Sequence, residues 1–82
     1  MPEIVRTIDP VRLGDRLRMA RARCSLTQEQ AAWETGISQR ELSNIECGIY
    51  TPRLRTFLAL CRIYRVSPDQ ISAEASRQEV SP

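Results

Sequence analysis

The chain has 82 residues, with twelve Arg and ten acidic residues, no Lys and no His, and a formal net charge of +2. That length allows a single small domain with a modest core, which without disulfides or metal often gains stability by oligomerising. There is no apolar run long enough to span a bilayer, no charged-then-apolar signal pattern, no Gly-rich phosphate loop and no nucleophile set against a base. A cytoplasmic protein is therefore expected, with no membrane contact and no enzymatic activity.

The charge is unevenly spread. Residues 1–66 hold eleven Arg against seven acids, while residues 67–82 hold one Arg against three. The body of the domain is basic and its tail is not, a distribution that suits nucleic acid better than the net charge does. Cys24, Cys47 and Cys61 are 23 and 14 residues apart and form no C-x-x-C pair, so neither a metal nor another cofactor is expected. They read as small hydrophobes, with redox sensing by Cys24 or Cys47 as the alternative.

In chain order, residues 1–8 read as an N-terminal arm. Its Ile4, Val5 and Ile8 could pack on the domain, pair as a strand across a dimer or enter a partner's groove, and packing on the domain is the expectation. The domain proper spans 9–75. Asp9 and Pro10 can cap and start a first helix, whose buried face is Leu13, Leu17 and Ala20 at offsets of four and three. Arg12, Arg16, Arg18, Arg21 and Arg23 crowd its remainder.

Thr27 followed by Gln28-Glu29-Gln30 is an N-cap with a polar first turn, and Ala31-Ala32 gives small residues where another helix must come close. Gly36 sits at the reversal, where positive φ is favoured, and Ile37 is the expected buried anchor. Ser38 caps the next helix, about 38–47, in which Leu42 and Ile45 take one side while Gln39, Arg40, Ser43 and Asn44 take the other. Arg pairs bidentately with guanine, and Gln or Asn with adenine, and the only nearby acid is Glu41. Gln28 to Gly48 thus reads as a helix-turn-helix facing the DNA major groove, rather than as an ordinary solvated face mixing Lys with Glu.

Ile49-Tyr50-Thr51-Pro52 is a loop, and Arg53 and Arg55 open a fourth helix, so Tyr50, Thr51 and Arg53 are assigned to DNA phosphates along with Ser38. Leu54, Phe57, Leu58, Leu60, Cys61 and Tyr64 are spaced for the core, with Leu58 or Tyr64 as candidates for exposure. Ser67-Pro68-Asp69 caps and starts a short fifth helix anchored by Ile71. Residues 76–82 read as a frayed tail.

From about Leu13 to Ile71 the chain resembles the lambda-repressor-like, Cro and XRE-type helix-turn-helix family. The resemblance rests on Arg16-x-Arg18, Leu26-Thr27-Gln28, Ala32, Gly36-Ile37-Ser38, Leu42-Ser43-x-Ile45-Glu46-x-Gly48, Pro52 and Val66-Ser67-Pro68-Asp69. It implies an all-α, compact five-helix bundle with the third helix in the major groove, binding double-stranded DNA as a homodimer on an inverted repeat. It also implies that Gln28 bonds a phosphate, that Gln39, Arg40 and Asn44 face base edges, and that Arg21 and Glu46 form a structural ion pair. The bundle end carrying the fifth helix is the expected dimer contact.

The chain departs from the family pattern at Ala31, where Leu is usual, at Ser25, where Gly is usual, at Cys47, where a polar residue is common, and at Trp33, which is bulky at a polar position. Trp33 is expected to pack in compensation for Ala31, or else to anchor a protein partner. The function implied is a sequence-specific transcriptional regulator, a repressor above all, occupying an operator and blocking or touching RNA polymerase. The alternative is a protein-interaction module, an antitoxin or an antagonist of another regulator.

Overall fold

The computed structural model describes residues 3–81, and the side chains of residues 7–77. It contains the five expected helices between two terminal strands: β1 (Glu3–Ile8), α1 (Pro10–Arg23), α2 (Gln28–Thr35), α3 (Gln39–Glu46), α4 (Leu54–Tyr64), α5 (Pro68–Ala75) and β2 (Ser76–Ser81). The helix starts are written in the sequence. The side chains of Asp9, Thr27, Ser38 and Ser67 each accept a backbone N–H of their helix's first turn, with Gln30 closing the capping box of α2 and prolines opening α1 and α5.

Four helices end in one way, through a residue of positive φ. The amide of that residue and the one after it then bond back to carbonyls of the last turn, as Gly36 N–H does to Trp33 (3.3 Å) and Ile37 N–H to Ala32 (3.1 Å). Gly36 and Gly48 fill this position after α2 and α3 at φ 75°, where glycine adopts the conformation freely. Ser25 and Arg65 fill it after α1 and α4 at φ 56°, at a cost of about 1 kcal/mol each for a residue with a Cβ.

Leu17, Leu42, Ile45 and Leu60 are fully buried at the centre, with Leu13, Ala20, Tyr64 and Ile71 around them. At about 2 kcal/mol for each large aliphatic side chain removed from water, this cluster supplies the main drive for folding. Ala31 and Ala32 are buried, so α2 lies close to its neighbours α3 and α4. Gly14 allows a still closer approach: a Cβ built there would sit 2.3 Å from the Ile45 carbonyl oxygen and 2.7 Å from that of Glu46.

Several expectations need correction. Residues 3–8 and 76–81, expected as parts of an arm and a frayed tail, instead form two strands, β1 and β2, which pair antiparallel from Ile8↔Ser76 out to Glu3↔Ser81. Their junction with the bundle is fixed by Asp9 N–H to the Ala75 carbonyl (2.9 Å) and by Arg12 Nη1 to the Ser76 carbonyl (3.1 Å). Ile4 and Val5 lie in this ladder, whereas their side chains fall outside the described residues.

In α4 the buried face runs through Thr56, Leu60, Cys61 and Tyr64, and this turns Leu54 outward (70% exposed) along with Leu58 (42%). Leu58 was a candidate for exposure and Leu54 was not. Ile37 is half-buried rather than fully enclosed. Trp33 does not fill in for Ala31: it is 86% exposed, because α2 closes over the small residue by approaching its neighbours instead.

Gly14→Ala should destabilise the fold by about 3 kcal/mol despite alanine's better helix propensity, because the atoms in its way are backbone; a lower midpoint in urea unfolding checks it. Ser25→Gly should raise stability by up to about 1 kcal/mol by relieving the left-handed residue, read in the same assay. Burial pushes the Cys61 thiol up to about 11, so iodoacetamide at about pH 8 should label exposed Cys47 well ahead of Cys61. The same shift means that the thiol ionises more readily in the unfolded chain, so the Cys61 contribution to stability is full below pH 9 and declines toward 11.

Candidate nucleic-acid interface

The turn at Gly36 delivers α3 with its first two residues outward. Ser38 Oγ accepts the Glu41 N–H at 3.0 Å and so fixes the helix start. Gln39 and Arg40 are exposed in the first turn, and Ser43 and Asn44 follow one turn later, half-buried. Each pair is four residues apart, so the four form a single strip, opposite Leu42 and Ile45, which are fully buried. The structure therefore brings together every residue expected to read bases. The backbone dipoles of α3 also leave a partial positive charge at the end carrying Gln39 and Arg40.

The far end of α3 is held by the expected pair. Arg21 Nε meets Glu46 Oε2 at 2.7 Å and Arg21 Nη2 meets Oε1 at 3.0 Å, a bidentate bridge with the Glu46 side chain 3% exposed and that of Arg21 16%. The hydrogen bond that Arg21 donates to Glu46 raises the Arg21 pKa further, so the guanidinium is always charged. Arg21 Nη1 also donates to the Leu26 carbonyl (2.9 Å), which ties in the α1–α2 connection.

One member of this group was not legible in the sequence. Gln28 Nε2 donates to Glu46 Oε1 at 3.0 Å, so the residue expected at a phosphate is oriented by the same carboxylate that holds Arg21. The bond occupies one of the two amide hydrogens of Gln28 and leaves the other for a further acceptor. Gly14, which lets α1 lie against the end of α3, is marked in the sequence only as a glycine inside a helical apolar pattern.

After α3, Tyr50 and Arg53 line a cleft with Glu41, Arg55 and the Thr35–Gly36 turn. Arg53 precedes α4 with extended backbone and provides no side-chain cap, leaving the first amides of that helix open. Arg40, Arg53 and Arg55 form no ion pair among the described residues, unlike Arg12, Arg16, Arg18 and Arg21. Thr51 is separated from Tyr50: it lies on the other side of the loop, in an apolar groove with Leu13, Pro52 and Phe57.

The chain resembles proteins of known kind over most of this framework. A family model described as a helix-turn-helix domain matches residues 12–73. The HTH-type transcriptional regulator ImmR of Bacillus subtilis (strain 168) is 39% identical over 59 residues, which is 72% of this chain and 46% of ImmR, so the chain spans about half the length of this relative. Among solved structures, the restriction-modification controller protein C.AhdI from Aeromonas hydrophila is 28% identical with a TM-score of 0.72, over 77% of this chain and 96% of that one. The P22 c2 repressor protein in complex with synthetic operator 9T is 27% identical with a TM-score of 0.68, over 72% of this chain and 89% of its own. With the family's pattern carried from α1 into α5 and its helix-turn-helix seen in α2 and α3, the chain belongs to the XRE-type, lambda-repressor-like helix-turn-helix family.

Proposed function

We propose that this chain is a cytoplasmic, sequence-specific DNA-binding regulator that occupies an inverted-repeat operator as a homodimer and represses by excluding RNA polymerase. The observation that carries this reading is the α3 strip of Gln39, Arg40, Ser43 and Asn44, mounted on a face whose reverse is fully buried. A helix anchored this firmly presents its hydrogen-bonding groups as a rigid array, which direct readout of base edges requires. The P22 c2 repressor, bound to its synthetic operator, supports the same docking by likeness.

The remaining assignments follow from position. Gln28, Ser38, Tyr50 and Arg53 are given to phosphates, where they set register without reading sequence, and Thr51, which lines the apolar groove, joins them through its backbone. In a dimer the two α3 helices enter successive major grooves roughly 34 Å apart. A second reading, contact with a protein such as RNA polymerase or an antagonist, is favoured by one observation: Trp33 is 86% exposed beside the carboxylates of Glu29 and Glu34.

Selection of sites from random duplex DNA by the purified chain should return an inverted repeat. On that site Arg40→Ala should cost about 1–3 kcal/mol and relax specificity at one base position, while Gln28→Ala should weaken selected and random duplexes about equally. Equal losses on both DNAs from both substitutions would remove the base-reading role of Arg40. An absence of any enriched motif would transfer the weight to the protein-contact reading, to be checked with Trp33→Ala.

A further inference from the structure

Resting on the DNA-binding reading above, we infer that the cleft between α3 and the start of α4 binds a small zwitterion of the α-amino acid class, and that its occupation loosens the hold on DNA. Buried among the apolar side chains of the bundle are Glu46 and Thr56. Glu46 accepts three hydrogen bonds, whereas the hydroxyl of Thr56, a residue 7% exposed, makes none within the protein. A hydroxyl taken out of water without a partner is unfavourable, and valine would fill the same volume without that cost. Thr56 lines the cleft, an opening of about 740 Å³ that falls within the size range of small-molecule sites.

Thr56 brings an open amide as well as its hydroxyl. The first backbone bond of α4 runs from Phe57 N–H to the Arg53 carbonyl at 2.9 Å, and Arg53 supplies no side-chain cap. The amides of Leu54, Arg55 and Thr56 therefore have no partner inside the helix. Together with the guanidinium groups of Arg53 and Arg55 on the same wall, they suit the oxyanion of a carboxylate.

The other wall is opposite in charge, because Glu41 of α3 lines the same cleft. Arg53, Arg55 and Glu41 face one opening, yet none of them forms an ion pair among the described residues. A bare anion lodged between these walls is attracted by one and repelled by the other. A carboxylate joined to an ammonium group satisfies both, with the carboxylate at Thr56 and the α4 amides and the ammonium at Glu41. Ile37 and Ala59 give the cleft an apolar side for a short side chain. The bound carboxylate then engages the arginines from within and sets negative charge beside the phosphate assigned to Tyr50 and Arg53, while the α3 strip stays untouched. The loss of DNA affinity is therefore independent of sequence.

Isothermal titration calorimetry of the full chain tests this, with each of the twenty standard amino acids in turn and with inorganic phosphate and acetate as comparison probes. At least one amino acid should bind with a Kd below about 1 mM, and phosphate and acetate should bind at least about tenfold more weakly. Thr56→Val and Glu41→Gln should each weaken the amino acid by about tenfold, while the unfolding midpoint of Thr56→Val holds or rises. Saturating amino acid should weaken selected and random duplexes alike, by about tenfold. Binding of no amino acid overturns the proposal, as does phosphate binding equally well or amino-acid affinity that survives both substitutions. Duplex affinity unmoved by the bound amino acid overturns the coupling to DNA. A chain that binds an amino acid but no duplex would leave the site standing and remove the DNA-binding reading.

Discussion

The bridge between Arg21 and Glu46 is the contact on which the rest of the domain turns. It ties the end of α1 to the end of α3, reaches the α1–α2 connection through the Leu26 carbonyl, and orients Gln28 at the start of α2. Glu46 is almost wholly buried, so its carboxylate depends on the three hydrogen bonds it accepts; removing Arg21 would strand a charge at a cost of about 3–5 kcal/mol. The pair is therefore less a source of net stability than a specification of geometry. It fixes where α3 points and, through Gln28, ties a proposed backbone contact to the helix proposed to read bases.

Gly14 performs the complementary task by absence of a side chain. Because nothing projects from α1 at that point, the Ile45 and Glu46 carbonyls can lie against it, and the Arg21 guanidinium then reaches Glu46 with both nitrogens. The close approach and the ion pair define a single joint. On the opposite side Ala31 and Ala32 give the same closeness between α2 and its neighbours. The helix carrying the proposed reading strip is thus seated between two elements that have given up side-chain bulk to hold it.

What the sequence disclosed and what it hid divide along physical lines. The helix starts were legible because Asp9, Thr27, Ser38 and Ser67 act within three residues of themselves, and the turn at Gly36 because only backbone freedom was at stake. Long-range facts were harder. The Arg21–Glu46 pair was accessible only through family resemblance, and the Gln28–Glu46 bond not at all, since 18 residues separate its partners. Leu54 misled because helical spacing gives neighbours on a face and not the tilt of that face, which Thr56 draws round in α4. The terminal strands were missed because polar stretches such as SRQEVS have little strand character alone and gain it only from the partner that the fold brings alongside. Ser25, noted as a departure, keeps the left-handed turn that the usual glycine would make, so the pattern of the backbone persists where that of the residues lapses.

Trp33 has a consequence of an optical kind. It is the chain's single tryptophan, and at 86% exposure its indole faces water and should emit at long wavelength, clear of the shorter-wavelength emission of Tyr50 and Tyr64. It shares a groove with Gln39, at the head of the proposed reading strip. The unmodified chain thus carries a native fluorophore beside that strip, and its emission will shift or quench when a duplex or a protein covers the groove. Without any attached dye, it can time the docking of a ligand in stopped flow and distinguish a partner that settles near α2 and α3 from one that settles on the far side of the bundle.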